Sequence, residues 1–153
     1  MSSVPFHYVD LRAFCYETED EKRVGDALRT FLPEDTELER VETEGHHGDR
    51  ILVLSVRLER AAEVRHVLSK LAELDDIDTV LEELDNRVDD NCAFFLTLDK
   101  QAAFRGDVKR GDGITVRAKV EAYPAKKAHA VENVRETFAE LRDADGSSDD
   151  SGR

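Results

Sequence analysis

The sequence predicts an α+β domain in which a mixed or antiparallel sheet of about five strands carries helices packed mainly on one face. In several segments apolar and polar residues alternate, as from Arg50 to Glu59, which is typical of strands with one buried face. In other segments apolar residues recur every three or four positions, as from Ala61 to Leu74, which is typical of amphipathic helices. In chain order these segments give the pattern β-α-β-β-α-α-β-β-α.

The first predicted strand runs from Phe6 to Tyr16 and carries apolar residues on both faces, which indicates a central strand. The alternation puts His7, Val9, Leu11, Ala13 and Cys15 on one face, and Phe6, Tyr8, Asp10, Arg12, Phe14 and Tyr16 on the other. Thr18 to Glu21 then fits a capping box, since the Thr18 side chain can accept a hydrogen bond from the backbone N–H of Glu21. We therefore expect a helix that begins here and stops at Pro33.

A hairpin is predicted next, followed by a pair of helices. Leu38 to Glu44 is charged and alternates poorly, which fits an edge strand whose charges discourage pairing with another chain. Gly45 to Asp49 forms the turn, and Arg50 to Glu59 forms the second strand. The helices span Ala61 to Leu74 and Asp76 to Arg87, because acidic residues favour a new helix N-terminus between them.

The remaining strands are predicted from Asn91 to Leu98 and from Ile114 to Ala122. Between them, Asp99 as N-cap and Gly106 as a left-handed stop indicate a short helix.

A last helix should start after Pro124 and run to about Arg142. We predict a single domain over residues 1–142, and a disordered acidic tail over residues 143–153, which have little apolar surface to bury.

One face of the predicted sheet is left without helices, and we call it the open face. Aromatic and basic side chains share it, because the alternation places there Tyr8, Arg12, Phe14, Arg57, Phe95, Arg117 and Lys119. RNA-binding sheets use this mixture, since bases stack on rings while cations meet phosphates. A second protomer or a helix covering the same face is the alternative.

The chain is strongly acidic, with 35 Asp and Glu against 22 Lys and Arg and a net charge of −13. Arg outnumbers Lys by 15 to 7, and the acidity extends along the chain. These features are typical of proteins that work in molar salt, where a Debye length of about 3 Å screens self-repulsion. We therefore interpret the acidic surface as halophilic, a property of the habitat rather than of the function.

Residues 100–127 reverse this charge, because eight basic and three acidic side chains give them a net charge of +5. A positive segment in so acidic a chain suggests a surface for an anionic partner. A solvated loop and strand face would explain the same charge without any partner, so composition leaves both interpretations open.

Two motifs in this segment favour phosphate binding. Asp99 to Gly106 offers a helix N-terminus with Lys100 beside it and Arg105 one turn on, although a capped connecting turn has the same signature. Lys126 and Lys127 stand in a first helical turn, where they oppose the helix dipole at a small cost that a bound anion would remove.

The chain lacks the motifs of common catalytic and cofactor sites. It contains no GxSxG and no GxxxxGK, so we expect neither a catalytic residue nor a cofactor. Cys15 and Cys92 stand apart and are interpreted as small buried hydrophobes. A metal site could be drawn from His46, His47 and Asp49, with His7 and His129 recruited, but adjacent histidines in a glycine turn rarely point together.

No apolar run approaches the roughly 18 residues of a membrane span, and Met1 to Pro5 lacks the features of a signal peptide. We therefore expect a cytoplasmic protein without a membrane partner.

Several motifs together resemble an archaeal family of small proteins described as RNA-binding and as predicted exosome subunits. They are, in chain order, Thr18-Glu19-Asp20-Glu21-Lys22, Glu42-Thr43-Glu44-Gly45-His46-His47-Gly48-Asp49, Asp99-Lys100-Gln101-Ala102-Ala103-Phe104-Arg105-Gly106 and Tyr123-Pro124-Ala125-Lys126-Lys127. The resemblance covers about residues 6–142 and implies a fold like that of ribosomal protein L5, without known catalytic activity. The acidic, arginine-rich surface indicates a haloarchaeal member.

These observations predict a non-catalytic RNA-binding protein that works in RNA processing with the exosome, or in ribosome-related work. The predicted contacts with RNA are Lys100, Gln101, Arg105, Lys109, Arg117, Lys119, Lys126, Lys127, Arg12, Phe14 and Phe95. Further partners to consider are exosome or ribosomal proteins and a second copy of the chain. The alternative function is a protein–protein adaptor or homodimerisation module without direct RNA contact.

Overall fold

A computed structural model describes residues 4–45 and 48–151, and the side chains of residues 4–45 and 48–143. Its elements are, in chain order, β1 Phe6–Cys15, α1 Glu21–Arg29, β2 Glu39–Glu44, β3 Arg50–Leu58, α2 Ala61–Leu71, α3 Ile77–Glu82, α4 Leu84–Arg87, β4 Ala93–Asp99, α5 Lys100–Phe104, β5 Gly113–Val120 and α6 Lys127–Ser151. His46 and His47, the centre of the candidate metal site, lie outside the described residues.

The strands form one five-stranded sheet in the order β2-β3-β1-β5-β4, and every neighbouring pair is antiparallel. Strand β1 is central, as its two apolar faces predicted, and β2 is an edge strand. The predicted α+β class with an antiparallel sheet of five strands is confirmed.

The core lies between one face of this sheet and the helices. Strand residues at alternate positions contribute to it, and they include Val9, Leu11, Leu54, Leu96 and Val116. Helices α1, α2 and α6 add apolar stripes with the large buried side chains Leu28, Leu68 and Phe138. Because the helices cover this face, the residues between those core positions stand on the open face.

The start of β1 departs from the predicted faces. The alternation placed Phe6 outward and His7 inward, but Phe6 is buried and His7 is exposed. The pairing of β1 with β5 shifts between Phe6 and Tyr8, and such a bulge reverses the side-chain direction on one side of it. From Tyr8 onward the predicted faces are correct.

The capping box predicted at Thr18 is wrong. Asp20 is the N-cap of α1, since its side chain accepts a hydrogen bond of 3.0 Å from the Lys22 backbone N–H. Glu19 is engaged elsewhere, because its carboxylate accepts from the Tyr16 backbone N–H at 3.1 Å. This turn at the end of β1 delays the helix, which begins at Glu21.

Other predicted boundaries shift locally. The helix predicted from Asp76 to Arg87 divides into α3 and α4 at Glu83, whose φ and ψ of −100° and 12° are not helical. Cys92 lies before β4 with a positive φ of 63°, which a strand residue does not adopt. Ala61 and Ala128 are exposed at the starts of α2 and α6.

Helix α6 continues to Ser151, past the predicted end at Arg142. The division into a domain over residues 1–142 and a disordered tail over residues 143–153 stays a prediction.

Short bridges cover the outer edge of β4. Val88 pairs with Phe94 at one end of the strand, and Arg110 pairs with Leu98 at the other. On the opposite side of the sheet, the whole of β2 is exposed. Its three glutamates keep this edge from templating another strand, as charged edge residues commonly do.

Candidate nucleic-acid interface

The strand register aligns the outward side chains of the open face in rows. One row runs across four strands through Arg57, Asp10, Arg117 and Phe95. The next row runs through Ser55, Arg12, Thr115 and Thr97. Since neighbouring strands lie about 4.8 Å apart, each row is a continuous polar and aromatic strip.

Aromatic rings stand exposed on this face. Phe14 is 41% exposed and Phe95 is 36% exposed, while Tyr16 just beyond the end of β1 is 50% exposed. The rings of Phe14 and Tyr16 are stacked, with their centroids 6.4 Å apart. Exposed rings at the surface of a sheet are surfaces on which an unpaired base can stack.

Arginines lie over several of these rings. The guanidinium of Arg12 is 5.9 Å from the Phe14 centroid, and that of Arg117 is 5.8 Å from the Phe95 centroid. Arg57 packs closely on Tyr8, at 3.8 Å. The Tyr8 ring is therefore already covered on one side, whereas Phe14 and Phe95 keep wide contact area.

The cations of the open face differ in their partners. Arg57 donates to both carboxylate oxygens of Asp10, at 2.7 and 2.9 Å, and this hydrogen bonding raises the pKa of the Arg57 guanidinium above its ordinary value. Within residues 4–45 and 48–143, Arg12, Arg117 and Lys119 form no ion pair, and their hydrogen bonds are to uncharged groups. Three cations are thus left to meet an anion.

A shallow depression of about 510 Å³ occupies the middle of the open face. Arg12 and Arg117 line it together with Phe95 and the hydroxyl residues Ser55 and Thr115. Its volume falls in the range of about 300–1,000 Å³ that small-molecule sites commonly have. The depression therefore combines an aromatic ring, cations and hydroxyls within one site.

The predicted contact Lys100 lies behind the edge of this face and is 12% exposed. Its ammonium donates to the Glu19 carboxylate at 2.8 Å and to the Phe14 backbone carbonyl at 2.9 Å. It also lies 5.4 Å from the Tyr16 ring centroid. Lys100 and Glu19 thus fix the chain on both sides of Cys15, where β1 leaves the sheet, and Lys100 has little surface left for RNA.

The N-terminus of α5 is a capped connecting turn, which favours the alternative to phosphate binding. The Asp99 side chain accepts from the Ala102 backbone N–H at 3.0 Å. The Lys100 backbone N–H donates to the Asp112 carbonyl, also at 3.0 Å. Two N–H groups that could face an anion are therefore occupied, and the helix has only five residues.

The turn after α5 folds back tightly on the same residues. A Cβ on Gly113 would lie 2.5 Å from the Lys100 Cβ, and a Cβ on Gly111 would lie 2.7 Å from the Asp99 Cβ. Gly113 also has a positive φ of 114°. Glycine is therefore required at Gly113 for both close approach and backbone conformation.

Lys109 and Arg110 are paired with carboxylates that flank the two ends of α3. Arg110 is bonded to Asp76 at 2.7 Å and contacts Glu83 at 3.4 Å, while Lys109 lies 3.7 Å from Asp75. Hydrogen bonding to Asp76 raises the pKa of the Arg110 guanidinium. The charge of residues 100–127 suggested one free cationic patch. The structure instead pairs several of these cations with carboxylates.

The remaining predicted contacts are exposed at other places. Gln101 and Arg105 are exposed on and just after α5. Lys126 is exposed and Lys127 is half-buried at the start of α6, next to Ala125, which shares a small cavity with Lys119 of the open face. The structure thus places Arg12, Phe14, Phe95, Arg117 and Lys119 on one face of the sheet, and Lys126 and Lys127 follow Ala125 in the chain.

The sequence-based contacts omit Tyr16, Ser55 and Thr115. The alternation of β1 already placed Tyr16 outward, and the alternation of β3 did the same for Ser55. Small hydroxyl residues carry no charge or ring signal, so only the register with Arg12 shows their relevance.

Both cysteines are free and buried, which confirms their interpretation as small core residues. Burial raises the pKa of the Cys15 thiol, and the nearby Glu19 carboxylate raises it further, so this thiol stays protonated and unreactive. In the described part of the chain, no three His, Cys, Asp or Glu side chains are grouped as metal ligands. None of the described helices is both long and apolar enough to cross a membrane.

Comparisons with known proteins agree on one family. A family model described as "RNA binding" matches residues 8–120. The chain is 38% identical over 141 residues to the RNA-binding protein PAB1135 of Pyrococcus abyssi, covering 85% of this chain and 92% of that protein. This similarity extends over both the open face and the helices.

Solved archaeal structures share the fold. Protein AF2318 of Archaeoglobus fulgidus superposes with a TM-score of 0.78 at 30% identity, covering 86% of this chain and 99% of that one. Mth689 of Methanothermobacter thermautotrophicus, a DUF54 protein, gives a TM-score of 0.76 at 41% identity, covering 87% and 98% of the respective chains.

Proposed function

Since the chain belongs to this RNA-binding family, we propose that it is a non-catalytic protein that binds RNA on the open face of its sheet. Unpaired bases stack on Phe14, Phe95 and Tyr16, and phosphates meet Arg12 and Arg117. Lys119, with Lys126 and Lys127 beyond it, extends this surface toward the start of α6. The relative PAB1135 is named as an RNA-binding protein, which supports the nucleic-acid part of this proposal.

The main support for this proposal is that one face of a very acidic chain carries both unpaired cations and exposed rings. Arg12, Arg117 and Lys119 have no carboxylate partner among the described side chains, and they lie beside Phe14 and Phe95. The chain has a net charge of −13, so carboxylates that could pair with a cation are plentiful. Cations left unpaired beside rings favour an anionic, planar ligand.

Stacking should supply much of the affinity. Each phosphate contact with a single strand lowers the slope of log affinity against log salt by about 0.7, so molar salt removes most of the ionic advantage. A ring stacked on a base contributes about 1–3 kcal/mol without that loss. If the acidic surface reflects a high-salt cytoplasm, as we propose, Phe14 and Phe95 matter at least as much as the arginines.

The proposal also includes association with the exosome or the ribosome, and the family resemblance alone supports this part. The rival function, an adaptor or homodimer, would use the same open face with a protein in place of RNA. Size measurement of the purified protein in molar KCl separates these functions. A dimer that dissociates on adding RNA fits RNA binding, whereas a dimer that blocks RNA fits the adaptor.

Titration of a fluorescent single-stranded RNA at several KCl concentrations tests the proposal directly. We expect F14A/F95A to weaken binding roughly tenfold or more at every salt concentration, because stacking is lost. R12A/R117A should weaken binding mainly at low salt and reduce the salt slope by about 1.4, for two lost phosphate contacts.

A matched control is R65A/R135A, which removes the same charge from helices α2 and α6. It should bind RNA nearly as the wild type does. Equal losses in this control and in R12A/R117A would show that net charge, not the open face, determines affinity. Incubation of labelled RNA with the protein and Mg²⁺ checks the non-catalytic part, since accumulating cleavage products would contradict it.

A further inference from the structure

The row through the centre of the open face carries hydroxyl side chains on both sides of a free arginine. Arg12 pairs with Ser55 of β3 on one side and with Thr115 of β5 on the other. All three line the central depression. At a strand spacing of about 4.8 Å, both hydroxyls lie within reach of a group held by Arg12.

These hydroxyls differ from those of three threonines that are used within the fold. The side chains of Thr30, Thr36 and Thr137 each donate to a backbone carbonyl, at 2.6, 2.7 and 2.7 Å respectively. Within residues 4–45 and 48–143, the Ser55 and Thr115 hydroxyls make no such bond. Both side chains are half-buried. Each can therefore donate to and accept from a ligand.

Resting on the proposed function, we infer that Ser55 and Thr115 bind the ribose 2′-hydroxyl and make the open face select RNA over DNA. Arg12 and Arg117 hold the phosphate and Phe95 stacks with the base. The ribose between them then lies over the hydroxyl row. The 2′-hydroxyl is both donor and acceptor, as are the side chains that face it, and it is the group by which proteins distinguish RNA from DNA.

The surrounding charges favour this assignment over a purely ionic site. Asp10 and Glu39 also line the depression, and Asp10 is already bonded to Arg57. Their negative charge limits how many phosphates the depression can hold. A single nucleotide, which presents one phosphate, one sugar and one base, uses the cations, hydroxyls and ring of this site without placing a second phosphate near the carboxylates.

The test compares a uridine dodecamer with a deoxyuridine dodecamer, which differ only in the 2′-hydroxyl. The wild-type protein should bind the RNA about tenfold more tightly, as expected for two net hydrogen bonds. The variant S55A/T115V should bind the RNA only as tightly as the DNA, and its affinity for the DNA should be unchanged. Valine is compatible with a strand, and the replaced hydroxyls make no internal bond, so the variant should fold.

The matched control is Thr43→Val, which removes a hydroxyl on β2 outside the depression. It should keep the wild-type preference for RNA. Equal wild-type affinity for the two dodecamers, or parallel loss of both in S55A/T115V, would overturn the inference while leaving RNA binding intact.

Two further outcomes separate this inference from the proposed function. If neither dodecamer binds the wild-type protein, the proposed function itself fails, and the inference fails with it. If uridine monophosphate binds as tightly as the RNA dodecamer, the depression is a free-nucleotide site and the assignment to an RNA strand is wrong.

Discussion

Two groups of cations in this chain have opposite surroundings. Lys100, Lys109 and Arg110, which we call the paired segment, each contact carboxylates of neighbouring elements. Arg12, Arg117 and Lys119 on the open face lie beside rings and uncharged polar groups. The first group connects parts of the fold, and the second is left for a ligand.

The difference arises from which element faces each cation. The paired segment follows β4 and packs against the β1–α1 turn and α3, where the acidic residues Glu19, Asp76 and Glu83 stand. Among the described residues no helix lies over the open face, where Arg57 is paired with Asp10. A local charge count therefore does not identify a binding surface in an acidic protein, because the partners come from distant parts of the chain.

The largest expected effect in this comparison is on the stability of the paired segment. Gly113→Ala should lower the free energy of unfolding by about 3 kcal/mol, because it adds backbone strain and a clash with the Lys100 Cβ. Denaturant unfolding at constant high salt measures the loss.

Gly106→Ala is the matched control, since Gly106 also has a positive φ but a Cβ there would meet nothing within 4 Å. We expect it to cost only about 1 kcal/mol, from the backbone conformation alone. Similar losses in the two variants would mean that close packing on Lys100 is unimportant.

A smaller loss is expected when the Lys100 ammonium is removed. Lys100→Met should cost about 2 kcal/mol, because Glu19 and the Phe14 carbonyl lose a charged donor at a nearly buried site. Lys109→Met should change stability by less than about 0.5 kcal/mol, since its pair with Asp75 is exposed.

The same Lys100→Met variant distinguishes support from direct contact. If Lys100 only positions Phe14 and Tyr16, RNA affinity falls while the salt slope is unchanged. A slope reduced by about 0.7 would instead identify Lys100 as a phosphate contact, as its sequence motif predicted. Lys100 would then belong with the RNA-binding cations, and its assignment to the paired segment would be wrong.

The sequence predicted most of the fold and about half of the residues of the candidate interface. The side-chain alternation of β1, β4 and β5 correctly placed Arg12, Phe14, Phe95, Arg117 and Lys119 on one face. Periodicity succeeds here because a strand fixes side-chain direction over its whole length.

The failures concern contacts between distant segments. Glu19 is 81 positions before Lys100, and Asp76 is 34 positions before Arg110. No local pattern shows such pairs, so the positive segment was interpreted as one free patch. The capping box at Thr18 failed for a related reason, because the Glu21 carboxylate that the box would use accepts a hydrogen bond from Arg40 of β2.

Lys126 and Lys127 stand at the start of α6, and their replacement tests how far the RNA-binding surface extends beyond the open face. Neither is paired with a carboxylate of the described side chains, and Ala125 beside them shares a cavity with Lys119. K126A/K127A should weaken RNA binding about threefold to fivefold near 0.1 M salt and lower the salt slope by up to about 1.4.

R105A/K109A is the corresponding change at the paired segment, since Lys109 belongs to it and Arg105 lies just before it in the chain. We expect it to alter RNA affinity by less than about twofold, as for exposed charges away from the ligand. A larger loss than in K126A/K127A would move the RNA path from the open face toward α5.

The smallest expected effect is the acid sensitivity of the paired segment. Hydrogen bonding from Arg87, with help from Arg110, holds the pKa of Glu83 below its ordinary value of 4.5. A lowered pKa in the folded protein stabilises it at neutral pH, and this contribution is lost as the pH falls below 4.5 and through the lowered value. Glu83→Gln should therefore reduce stability at pH 7 slightly and make the fall in stability toward acid pH less steep than in wild type.

Glu82→Gln is the control, because Glu82 is an exposed neighbour without an ion pair among the described side chains. It should leave that pH dependence nearly unchanged. Denaturant midpoints measured from pH 7 down to about pH 3 compare the two variants. Identical curves for both would show that the pairing of Glu83 with Arg87 and Arg110 has little energetic weight.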